Sequence, residues 1–264
     1  MLITRWALII THLIGGAVQA RAHTSYMYPN RFSVSQSGFI TVQSAFTENV
    51  FRPEIAVDSA DFHVVSPDGE RKEFEHKTAH RQLVILEEEL TADGTYRLTT
   101  GVRLGRKGRR MLVDGEWKPL FPSDAPVPDE ALQVATTQTE TVADVYVTKG
   151  APSWGAVKAP IGRLVFMPVT HPNKIYLDET FEMDVVFDGA PLADKALTIT
   201  REGGCFEEPE YKCFVKTGAD GRLTAVFDKP GVYMIYTRHR ACAPDGAETD
   251  ERSYTTSLTF EVIR

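Results

Sequence analysis

The chain has 264 residues, 42% hydrophobic and 25% charged, which is enough apolar content for packed cores and excludes a wholly disordered protein. Its 36 acidic residues outnumber 29 basic ones for a formal net charge of −7. That balance argues against a nucleic-acid binder, because neutralising phosphates needs a net positive face.

The first 22 residues predict a cleavable signal peptide. Arg5 supplies a positive start, residues 6–18 a mostly apolar run, and Ala20-Arg21-Ala22 an A-x-A cleavage signal. The run is too short for a bilayer span, which needs about 20 residues. No later stretch is apolar for long enough, and no Cys stands at the cleavage point to carry a lipid. The expectation is an exported, periplasmic protein with no transmembrane segment after cleavage. The leader removes Arg5 and Arg21 and no acid, so the mature chain is more acidic still.

Turn chemistry dominates the rest of the chain. Asp-Gly occurs at 68–69, 93–94, 114–115, 188–189, 220–221 and 245–246, and this dipeptide favours the positive φ angles of tight hairpins. Short alternating or β-branched runs lie between the turns: 39–46, 62–66, 82–86, 96–100, 181–187, 196–200, 223–227, 232–237 and 257–262. Many short strands punctuated by turns predict an all-β chain of two β-sandwich domains rather than βαβ units. The N-terminal domain is placed at 23–118. Residues 119–160, rich in Pro and containing the TTQTET segment, read as an irregular connection with one strand at 142–148. The C-terminal domain, 161–264, has the length of one immunoglobulin-like sandwich and ends on the alternation of Leu258, Phe260 and Val262. Residues 129–135 hold the one short helix the pattern suggests. The basic run 103–110 (RLGRKGRR) reads as a solvated hairpin tip rather than an anion patch, because Gly105 and Gly108 interrupt it.

In an exported chain three cysteines allow one disulfide and one free thiol. Cys205 and Cys213 flank FEEPEYK, a hairpin-loop sequence, so a bridge between them with Cys242 free is the first choice; pairing of Cys242 with either is the alternative.

His23 is the most informative candidate for chemistry. Cleavage after Ala22 makes it the mature N-terminus, with an α-amine and an imidazole on one residue, a chelate for a borderline metal such as Cu(II) or Ni(II). The amine must lose a proton, and its reference pKa near 8 makes that accessible. The competing reading is a histidine left there by accident of cleavage. His171, in THPN, and His239, at the end of VYMIYTRH, are the best-placed further ligands, each weighed against a structural role. His76 and His80 are four apart in what reads as loop, and His63 lies mid-strand as a structural residue. No G-x-S-x-G, H-E-x-x-H, C-x-x-C or phosphate loop occurs. The acidic runs 87–89 and 207–208 read as solvated edges or loop tips, so a hydrolase using loop carboxylates is the least favoured class.

The strings HTSYMYPNRF, FITVQSAFTENVF, YVTKGAPS, GRLVFMPVTHPNKIY, VVFDGAPL, TGADGRLTAVFDKPGVYMIYTRHR and RSYTTSLTFEV occur here in that order. Together they resemble a bacterial periplasmic family of unknown function labelled nickel-uptake-transporter-like (NikM-like). The resemblance implies an exported protein with a C-terminal immunoglobulin-like domain, linked to nickel or cobalt uptake. It also implies a mature chain beginning at a histidine after Ala, matched by His23, and a central His-Pro, matched by His171-Pro172. The EHKTAH segment and the Cys205/Cys213 pair depart from the family pattern. The combined expectation is a non-catalytic handler of nickel, cobalt or copper, using His23, His171 and His239 and serving a membrane metal-uptake system. The alternative is a sandwich adaptor for a transporter or saccharide that binds no metal.

Overall fold

The computed structural model describes residues 23–36 and 38–264; the expected leader lies outside them. The first half carries β1 (Thr24–Pro29), β2 (Ser33–Val34), β3 (Gly38–Thr47), β4 (Ile55–Ala56), β5 (His63–Val65), β6 (Arg71–Lys72), β7 (His76–Ala79), β8 (Val84–Leu90) and β9 (Gly94–Thr99). A hairpin of β10 (Arg103–Val113) and β11 (Glu116–Leu120) precedes the longest strand, β12 (Gln133–Lys149). The second half carries β13 (Leu164–Pro168), β14 (Ile175–Tyr176), β15 (Thr180–Phe187), β16 (Ala190–Pro191), β17 (Ala196–Arg201), β18 (Lys212–Lys216), β19 (Arg222–Val226), β20 (Gly231–Cys242) and β21 (Glu251–Ile263). The all-β expectation holds.

Three sheets make two sandwiches. A twelve-stranded sheet runs in the order β18-β17-β20-β21-β12-β9-β5-β6, with β2, β10, β11 and β14 paired at its margins. A five-stranded sheet, β1-β3-β8-β7 with β4, covers one end of it, and a four-stranded sheet, β13-β15-β16 with β19, covers the other. The N-terminal core sets Met27, Ile40, Val42 and Leu86 of the small sheet against Val64, Leu98, Val145 and Val147 of the large one. In the C-terminal core, Phe166, Phe181 and Val185 meet Ile199, Ile235, Leu258 and Phe260. Each follows from period-2 alternation, and each fully buried large side chain contributes about 1.5–3 kcal/mol.

Two of the Asp-Gly turns behave as their chemistry requires. Asp114-Gly115 (φ 54° and 77°) closes β10 on β11, and Asp188-Gly189 (φ 50° and 78°) closes β15 on β16, both as two-residue hairpins.

Several expectations need correction. Residues 119–160 are irregular only over 121–132 and 150–160, because 133–149 is one strand. Its first half offers threonines instead of an apolar alternation, yet it pairs on both sides: with β10 on one, and in parallel with β21 on the other, from Thr137↔Glu251 to Val145↔Thr259. Residues 129–135 form no helix; a turn donates Ala131 N–H to Pro128 O and the strand begins at Gln133. The run 103–110 is strand, not hairpin tip, with a bulge between Leu104 and Lys107. Two of its cations are paired with carboxylates from the far end of the chain, Lys107 with Glu248 and Arg110 with Glu251. Finally, the Cys205–Cys213 bridge is not formed, and all three thiols are free. Cys213 stands opposite Ile199, while Cys205 sits in a 3₁₀ turn (Gly204–Phe206) whose Gly204 carbonyl accepts the Tyr211 N–H, so backbone bonds close this hairpin.

Two buried charges tie strands together, Arg97 within the large sheet and Glu88 between the small sheet and the large one. Arg97 of β9, 1% exposed, donates Nε to Asp144 Oδ1 (3.0 Å) and Nη2 to Oδ2 (2.5 Å) of β12, and Nη1 to Ala159 O. Glu88 faces inward in the alternation of β8 and is fully buried; burial pushes its carboxyl above the usual range against the opposing pull of Lys72. The expectation of a wholly solvated 87–89 run therefore fails at its middle residue.

Removing one partner of a buried pair leaves an uncompensated charge, at about 3–5 kcal/mol. Asp144→Ala is expected to lower unfolding free energy by that amount in urea titration. Glu248→Ala, at an exposed pair, is expected to leave the urea midpoint nearly unchanged.

Candidate functional site

The N-terminal strand decides where His23 lies. Thr24 pairs with Thr47 at the end of β3, so the preceding residue reaches the lip where the β3–β4 connection begins. That connection, 48–54, folds back on itself: Arg52 N–H donates to Asn49 O, Glu54 N–H to Phe46 O, and Glu48 N–H to the Glu54 carboxylate at 2.9 Å. Phe51 anchors it. This residue adopts φ 60°, unusual for a bulky side chain, and is held there by burial, with its ring 5.4 Å from Tyr26 and 4.5 Å from Tyr28.

Glu48 and Glu54 are thereby presented to one imidazole. His23 Nε2 lies 2.9 Å from Glu54 Oε2 and 3.9 Å from Glu48 Oε1, and the three side chains are each about one-third exposed. The Glu48 backbone N–H, followed by His23, holds the Glu54 carboxyl below its usual range. Among the described residues, this is the group of three or more His, Cys, Asp or Glu ligand atoms lying within 4.8 Å of one another. Metal–ligand bonds of about 2.1 Å place neighbouring donors roughly 3–4 Å apart, so an imidazole and two carboxylates at these separations fit a divalent ion.

The other predicted ligands are elsewhere. His171 is buried (6% exposed), and both ring nitrogens are occupied: Asn173 N–H donates to Nδ1 at 3.2 Å, while Nε2 meets Ser153 O at 3.0 Å and Thr95 Oγ1 at 3.1 Å. Asn173 in turn donates to Phe32 O and Tyr146 O, making the His-Pro motif a joint between the two halves. His239 lies on β20 opposite Tyr254, with its ring 4.6 Å from Phe187. Neither belongs to the His23 group. His63 is structural, 3% exposed with Nδ1 on Asp61 O. His76 falls on exposed strand β7 rather than in a loop. Glu207 is taken by Arg201 and Lys229, which leaves it no free partner role beside Glu208.

Sequence reasoning missed Glu48 and Glu54. Both flank the short NVFRP segment, and only the β1–β3 pairing carries them to a residue 25 or more positions away.

The fold and the site define an all-β, double-sandwich protein with an imidazole–carboxylate cluster at its first strand. The chain belongs to the family described as domain of unknown function (DUF4198), whose model matches residues 20–241. No curated protein matches the sequence. Among solved structures, the D0-D1 domain of intimin aligns at 10% identity over 90% of this chain and 99% of that one, with a TM-score of 0.23. Escherichia coli alpha-2-macroglobulin activated by porcine elastase aligns at 10% identity over 92% of this chain and 20% of its own, TM-score 0.23. The I67-I69 I-band fragment of titin aligns at 10% identity over 92% and 66%, TM-score 0.19. Similarities at that level carry no functional argument.

Burial holds the His171 ring below the ordinary imidazole value. A folded pKa below the unfolded one means that, as pH falls below about 6.5, the unfolded chain binds a proton the native ring resists, and stability declines. His171→Gln is expected to flatten that acid-side decline in thermal melts taken between pH 7.5 and 5, while lowering Tm at pH 7.5.

Proposed function

We propose that this is an exported, periplasmic metal-binding protein, not an enzyme, that holds nickel, cobalt or copper at the N-terminal edge of its first sandwich. The observation that carries this reading is the convergence of His23, Glu48 and Glu54. Cleavage after Ala22 adds the His23 α-amine, so the residues that would hold the ion offer two nitrogens and two carboxylates, a donor set suited to a borderline divalent metal. Transfer to or from a membrane metal-uptake system is the associated role, in keeping with the nickel-uptake label of the family this chain resembles. Among the described residues no helix is long and apolar enough to cross a membrane.

A second reading, a metal-free adaptor, is favoured by one observation. Phe121 (89% exposed), Leu132 (73%), Val134 and Trp117 leave apolar surface around the β10–β11 hairpin, the kind of patch that partners cover.

Native intact-mass measurement of the mature protein with added Ni(II) or Cu(II) separates the two. The metal reading expects a chain beginning at His23 that retains one metal. His23→Ala should abolish retention, and Glu48→Gln or Glu54→Gln should each weaken it about tenfold. His239→Ala should leave it unchanged. A chain that begins at His23 and retains no metal sinks the reading in favour of the adaptor.

A further inference from the structure

A cleft of about 540 Å³ lies beside the His23 cluster and shares Glu48 with it as a wall. Its floor is the face of the large sheet turned away from the C-terminal core. On β17, Leu197 and Ile199 point into that core, so Thr198 and Thr200 point out; on β20, Tyr233 and Ile235 point in, and Met234, Tyr236 and Arg238 point out. One wall is the end of β3 and the turn after it; the other is Tyr211, Lys212 and Phe214. The volume is that of small-molecule sites.

The charge of this cleft runs against that of the chain. In a protein of net charge −7, it gathers Lys195, Arg201, Lys212 and Arg238 against the carboxylates of Glu48 and Glu210. Arg201 is neutralised by Glu207. Lys195 and Arg238 have no carboxylate within ion-pair distance among the described residues: the Lys195 ammonium donates to Arg238 O, and Arg238 Nε donates to Thr255 Oγ1 at 3.2 Å. Burial lowers the proton affinity of both cations, and neighbouring Arg240 lowers that of Arg238 further. Lys195 is half-buried and Arg238 is exposed along the cleft; two cations without a counter-charge in a concave site lined by hydroxyls form an environment that an oxyanion completes.

We propose that this cleft binds a small organic oxyanion, whose carboxylate or phosphate group pairs with Arg238 and Lys195 while its remainder lies against Tyr236 and Met234. The site goes beyond the metal reading and does not depend on it.

The test is isothermal titration calorimetry of metal-stripped protein at low salt, with citrate and inorganic pyrophosphate as separate probes. Saturable one-site binding of at least one probe is expected. Arg238→Gln and Lys195→Gln should each weaken it about tenfold or more while far-UV circular dichroism stays unchanged. Tighter citrate assigns a carboxylate ligand, and tighter pyrophosphate assigns a phosphate one. Should Arg238→Gln fail to fold, Lys195→Gln alone decides. Absence of saturable binding of both probes, or affinity undiminished in the folded variants, overturns the proposal. Because no metal is present, either outcome leaves the His23 reading to its own experiment.

Discussion

The two-sided ladder of β12 is the constraint on which the rest of this molecule depends. Its backbone pairs with β10 and then β9 along one side and with β21 along the other, so both cores share one hydrogen-bonded surface. Breaking that ladder would strand a row of buried N–H and C=O groups, each costly to leave unpaired. The two halves are therefore continuous in backbone bonding, and the Arg97–Asp144 pair reinforces the same place, joining β9 to β12 and, through Ala159 O, to the chain that leaves β12.

The location of the candidate sites follows from this junction. β1 pairs only with β3 in its own sheet, and its other side lies against β21, where Ser257 Oγ donates to Ser25 O at 2.6 Å. The beginning of the described chain is thus pinned across the outward face of the second sandwich. That face would otherwise be open; β1 and the turn after β3 cover part of it and leave the rest as a cleft. The imidazole–carboxylate cluster on the rim and the cationic floor behind it are products of one packing arrangement, which puts opposite charges close together without pairing them all.

Charge placement divides along the same lines. Some ion pairs, such as Lys107–Glu248 and Lys118–Asp114, sit in water and set solubility more than stability. Arg97–Asp144 and Glu88 are enclosed, where an ionised group persists only if its partners are built in. Lys195, half-buried, and Arg238, exposed, belong to neither group: both lack a carboxylate partner among the described residues and both line the cleft beside the His23 cluster.

By itself the sequence determined the class of fold and much of its punctuation. Asp114-Gly115 and Asp188-Gly189 specify tight hairpins because positive φ is a local property of the dipeptide, and Leu258, Phe260 and Val262 specify an inward face because side chains alternate along any strand. Strand β12 was half legible: residues 142–148 form a mostly apolar, β-branched run, whereas the threonines before them look like linker until partners on both sides satisfy their backbone. The inward turn of Glu88 was likewise hidden, since its neighbours Glu87 and Glu89 are what a solvated run looks like. His23 was found from its position after the cleavage signal, but Glu48, Glu54, Lys195 and Arg238 were not. Only tertiary structure decided these, because strand pairing joins residues with no fixed spacing in sequence, and because whether a cation finds a carboxylate depends on which face of which sheet folds against it.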